Sequence, residues 1–111
     1  MPPLMRRLIA LPALALAGAV LAAEPEILIT IEGHRFTPAE VTAPAGQKLK
    51  LIVENRDKTP EEFESYSLNR EKIVAPGAKI VVYVGPLKPG RYEFFGDFNP
   101  ATARGWLVVQ P

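Results

Sequence analysis

The side chains in this sequence best suited to chemistry are carboxylates. In Glu61-Glu62-Phe63-Glu64 the pair Glu62 and Glu64 stands two positions apart, and in an extended segment such residues project from the same face. Asp97 lies in the polar part of GRYEFFGDFNPATARGWLVV, Gly90 to Val109, which reads as two strands around a loop of small residues. Oxygen donors suit iron, manganese, magnesium or calcium and suit Cu(I) poorly. The plain alternative is a solvated acidic edge strand with Asp97 forming a turn. His34 is the only histidine; its imidazole could ligate iron or copper, or simply hydrogen-bond at a strand–turn junction. Asp57, Glu61, Glu71 and Glu93 have weaker claims, lying in loops or on alternating solvent faces. Ser65 and Ser67 carry no nucleophile motif, so independent hydrolytic catalysis is not expected.

The chain has 111 residues, no cysteine and a formal net charge of +1. MPPLMRR followed by LIALPALALAGAVLA and then AEPE has the basic, apolar and small-residue order of an export signal. A membrane anchor is the competing reading, disfavoured by Pro12 and by the absence of a basic flank after the run. Cleavage after Ala22 removes Arg6 and Arg7 and no acid, leaving a domain of 89 residues, 23–111, with net charge −1. No basic cluster supports nucleic-acid binding. Without disulfides the domain needs a real apolar core, which 89 residues can supply. A cysteine-free exported chain points to a bacterial periplasm.

The elements that must position the carboxylates are strands. Ile27–Ile31 is β-branched, Phe36–Val41 is an edge segment broken by Pro38, and Lys48–Asn55 alternates charged and apolar residues. Glu61–Tyr66, Ala78–Val84, Tyr92–Phe95 and Trp106–Val109 complete the pattern, punctuated by Ala45-Gly46, Pro76-Gly77 and Pro89-Gly90. No helical period persists. The expectation is an all-β, Greek-key β-sandwich of seven to eight strands.

Phe36-Thr37-Pro38, Pro44-Ala45-Gly46, Val53-Glu54-Asn55, Pro76-Gly77, Pro89-Gly90-Arg91-Tyr92-Glu93-Phe94 and Gly105 together resemble the frame of a cupredoxin, over nearly the whole of residues 23–111. The resemblance assigns the four type 1 copper ligand positions to Glu62, Gly96, Asn99 and Ala103, none of which is a type 1 ligand. It implies that Asp97 approaches the first-ligand position and that His34 lies near the metal end. E-F-E and F-F-G-D-F-N-P-A-T-A-R-G further resemble the EfeO-type cupredoxin-like domains of bacterial iron uptake. That likeness implies a periplasmic accessory of an iron permease. Its metal site would use Glu62, Glu64, Asp97 and His34, with iron or copper as the ion and no type 1 copper. The alternative is a metal-free module that docks a transport partner, with Phe98 in an exposed apolar patch.

Overall fold

The computed structural model describes residues 24–111. The expected export segment, 1–22, lies outside the described residues. Among the described residues there are strands and turns only, and no helix long and apolar enough to cross a membrane.

Nine strands follow in order: β1 Glu26–Glu32, β2 Arg35–Thr37, β3 Glu40–Pro44, β4 Leu49–Asn55, β5 Glu61–Ser65, β6 Arg70–Val74, β7 Lys79–Val84, β8 Gly90–Phe95 and β9 Arg104–Gln110. They form a four-stranded sheet in the order β2-β1-β4-β7 and a five-stranded sheet in the order β3-β9-β8-β5-β6. β1 runs parallel to β4 and β3 parallel to β9, while the other pairings are antiparallel. The architecture is a two-sheet β-sandwich, as the strand spacing predicts.

Two details differ from the sequence expectation of seven to eight strands. The broken segment around Pro38 is two strands in different sheets, β2 and β3. Proline lacks the N–H a ladder requires, so the chain leaves one sheet there and enters the other. The second difference is β6. Its sequence, REKIV, exposes four of five residues, so it shows neither alternation nor an apolar run. Pairing with β5 makes it a strand. β6 closes one side of the sandwich: Arg70 Nε donates to Tyr83 O at 3.0 Å and Lys72 Nζ to Val81 O at 3.4 Å. These side chains cap carbonyls of β7, a sheet edge that would otherwise be open.

The core follows from the period of two. Ile29, Ile31, Leu49, Leu51, Val53, Phe63, Val74, Phe94 and Leu107 are completely buried. Each side chain of this kind contributes roughly 1.5–3 kcal/mol by leaving water. Near the candidate site the filling is aromatic. Phe36 meets Phe94 edge-on with centroids 4.9 Å apart, and Phe63 lies 5.2 Å from Phe94. Gly105 makes room for this cluster, since a Cβ there would come within 2.3 Å of Phe94 Cε2. With Phe63 fixed inward, the neighbouring Glu62 and Glu64 must face the other way.

Candidate metal site

β5 sends its successive carboxylates to opposite faces of the five-stranded sheet. Glu62 and Glu64 lie outward beside β6, opposite Ile73 and Glu71 in the ladder. Asp97, just beyond the end of β8, joins them: ligand-type oxygens of Glu62, Glu64 and Asp97 all lie within 4.8 Å of one another. The expected three-carboxylate cluster is therefore assembled. Its burial is graded, with Glu62 buried, Glu64 half-buried and Asp97 exposed. A cleft of about 490 Å³ opens alongside, and Asp97 lines it together with Tyr66, Phe95, Arg104 and Trp106.

Glu62 is the unusual member. Only 3 % of its surface is exposed, and its Oε1 has no hydrogen-bond partner. Burial pushes its carboxyl up to about 7, helped by a hydrogen bond with Glu64 and by the negative charges of Glu64, Glu71 and Asp97. Desolvation and like charges both disfavour the ionised form. A cation held among the three carboxylates would relieve both, because it supplies the missing partner and offsets the charge.

His34 is not part of this cluster, contrary to the expectation. It forms a second group with Asp57 and Glu61, whose ligand-type atoms also lie within 4.8 Å of one another. His34 sits in the β1–β2 turn after Gly33, with positive φ at both residues. Asp57 anchors that turn by accepting the backbone N–H groups of Gly33 at 2.7 Å and His34 at 3.0 Å. Burial is the largest single influence and opposes ionisation of Asp57, yet the two N–H groups, a hydrogen bond to Glu61 and the charge of His34 together hold its carboxyl below the ordinary value. The His34 imidazole reaches inward to Glu61, Nδ1 to Oε1 2.5 Å. Glu62 points out of the opposite face of β5, so a His34 side chain committed to Glu61 cannot also serve the outer cluster.

The resemblance places Glu62 in the first-ligand position, yet the glutamate that meets Asn99 is the residue before it. It is Glu61, completely buried, whose Oε2 accepts from Asn99 Nδ2 at 3.2 Å. Asn99 is the residue the resemblance aligns with a histidine ligand, so Glu61 and Asn99 share the inner end of the sandwich. Glu61 and Asp57, to which the sequence gives only weaker claims, are thus brought together with His34. The period of two already separates Glu61 from Glu62, but the sequence alone does not say which of two adjacent glutamates faces in. Gly96 N donates to Ala103 O at 2.9 Å, closing the loop between β8 and β9. A Cβ on Gly96 would lie 3.0 Å from both Ala103 Cβ and Glu62 O. A thiolate copper centre does not fit this loop, in a chain that contains no cysteine.

The aromatic residues divide as packing demands. Phe94 is buried, while Trp106 and Phe98 are 36 % and 47 % exposed.

Residues 6–109 match the sequence profile of the cupredoxin-like domain family. The uncharacterized protein RP394 of Rickettsia prowazekii is 51 % identical over 84 residues, covering 76 % of this chain and 67 % of its own length. Among solved structures, the metal-binding domain of the Cu(I)-exporting P-type ATPase CopA of Streptococcus pneumoniae, determined with Cu(I), superposes with a TM-score of 0.67 at 17 % identity, covering 78 % of this chain and 85 % of that one. Auracyanin A, a "blue" copper protein of Chloroflexus aurantiacus, gives a TM-score of 0.67 at 15 % identity, covering 79 % of this chain and 100 % of its own. Amicyanin from Paracoccus versutus gives 0.62 at 20 % identity, with 85 % and 88 % covered. At these identities the solved structures speak to the fold alone. The profile match spans most of the sequence, and the chain belongs to the cupredoxin-like domain family.

Proposed function

We propose that this protein handles a metal ion, holding it with Glu62, Glu64 and Asp97 on the outer face of the five-stranded sheet. The observation that carries the reading is the buried, unpartnered Oε1 of Glu62 inside a cluster of like charges. Buried polar groups are almost always satisfied, and a cation is the simplest partner for one flanked by carboxylates. An all-oxygen donor set favours a hard ion, so iron is the preferred cargo and copper the second choice. Copper has support of another kind, since the CopA domain that shares the fold was determined with Cu(I).

The EfeO-like pattern in the last loop supports a place in iron acquisition, as a periplasmic accessory that passes an ion to a permease or its associated subunits. No nucleophile–base pair accompanies the cluster, so binding and transfer, rather than catalysis, is the proposed role.

Titration calorimetry with Fe(II), Fe(III), Mn(II) and Cu(II) tests this reading. A single-site isotherm with one of these ions, lost in Glu62→Gln plus Asp97→Asn, is the expected result. No binding by the unaltered protein would end the metal reading and favour a metal-free docking module, to which exposed Phe98 and Tyr66 would offer apolar contacts.

A further inference from the structure

The outer face of the four-stranded sheet carries a pattern that the metal site does not explain. Its outward residues form three rows across β1, β4 and β7, read from the ladder register. The middle row is Leu28, Ile52 and Val81, with Leu28 51 % and Val81 36 % exposed. On one side lies the row Glu26, Lys50 and Tyr83, and on the other Thr30, which is itself buried, Glu54 and Lys79. In the central strand, then, a cation and an anion stand equally far from Ile52 in opposite directions.

That antisymmetry makes the face complementary to itself under one particular rotation. A two-fold axis along the apolar row lays Leu28, Ile52 and Val81 on their own copies. It also sets Lys50 of each molecule against Glu54 of the other, and Tyr83 against Lys79. A two-fold axis along the strands would instead oppose Lys50 to Lys50 and Glu54 to Glu54. Stacked sheets lie about 10 Å apart and cross at roughly 30°. Lys50 and Glu54 stand about 7 Å from the axis, so the crossing displaces them sideways by only ~3.5 Å, within the reach of their side chains. Both already have partners within the chain: Lys50 Nζ lies 3.3 Å from Glu26, and Glu54 lies 3.3 Å from Arg56 and 3.9 Å from Lys79. Such exposed pairs are weak and leave donors and acceptors free for a second molecule.

We propose that this face is the contact surface of a homodimer whose two-fold axis runs along the Leu28–Ile52–Val81 row. The dimer leaves the outer faces of both five-stranded sheets, and hence the carboxylate clusters, open to solvent.

Sedimentation equilibrium in low salt with EDTA present tests the interface without metal bridging. The unaltered protein should dimerise reversibly with concentration. Lys50→Glu alone places four acids around the axis and Glu54→Lys alone places four lysines there, so each should weaken self-association at least tenfold. An equimolar mixture of the two variants should dimerise again, because each molecule then meets the opposite sign. Circular dichroism checks that both variants are folded. Protein that stays monomeric up to about 1 mM, a concentration that would detect even millimolar affinity, overturns the proposal. So does a mixture that fails to associate when the unaltered protein does.

Discussion

Glu61 and Glu62 are neighbours in sequence, nearly equally buried, and opposite in circumstance. Glu61 has both oxygens engaged, one by His34 and the other by Asn99. Glu62 keeps an oxygen with no partner and is surrounded by negative charge. Burying a charge is tolerable when donors come with it and costly when they do not. The inner group is therefore a finished structural joint that ties the β1–β2 turn to β5 and the last loop. The outer group is unfinished, and completing it requires something from outside the chain.

The sharpest way to break this contrast is to remove the inner carboxylate. Glu61→Ala empties a completely buried position and takes the acceptor from the half-buried His34 and Asn99 donors, and urea unfolding should register a loss of about 3–4 kcal/mol. Glu62→Gln should leave the metal-free protein no less stable at neutral pH. If the two substitutions cost the same, the distinction between the joint and the site fails.

The second effect is a pH dependence of definite sign. Because folding raises the Glu62 carboxyl from 4.5 to about 7, the folded chain holds a proton that the unfolded chain releases. Below the unfolded value both states are protonated and nothing is lost. Stability therefore falls as pH rises from about 4.5 to 7 and then levels off, by roughly 3 kcal/mol at full effect. The Glu62→Gln variant should lose that slope. Asp57 works in the opposite direction, since its lowered value adds stability that is present above the ordinary carboxylate range and disappears in stronger acid.

A bound ion should cancel the Glu62 penalty. At free metal one hundred times Kd, linkage adds about 2.7 kcal/mol, which scanning calorimetry would read as a rise in Tm of several degrees. The rise should vanish in Glu62→Gln plus Asp97→Asn and persist in Asn99→Ala, whose side chain serves the inner group. Asn99→Ala itself is the smallest change expected, about 1 kcal/mol for one donor withdrawn from Glu61. Loss of metal binding in Asn99→Ala would move the site to the inner end of the sandwich.

Much of this molecule is legible in its sequence. The strand around Phe63 announced itself by alternation, and the same alternation put Glu62 and Glu64 on one face. The approach of Asp97 came from the cupredoxin resemblance. What stayed hidden had physical reasons. β6 is mostly exposed and is a strand only because β5 is beside it. The pairing of His34 with Glu61 joins residues 27 apart in sequence through a turn held by Asp57. Such a contact exists only once β1 and β5 have been brought together. The choice between Glu61 and Glu62 as the inward residue is a matter of register, and a one-residue shift exchanges every side chain across the sheet.

The position of the last strand bears on how the chain acquires its structure. β9, Arg104–Gln110, runs between β3 and β8 and bonds to both. Until it arrives, β3 has no neighbour in its sheet and the hairpin bearing Asp97 has no second arm. The five-stranded sheet therefore cannot close until synthesis has passed β9. With β1 also waiting for β4, both parallel pairings close long loops, which favours slow folding. Shortening the chain before Arg104 should abolish folding altogether, whereas trimming at Pro111, outside the ladder, should not.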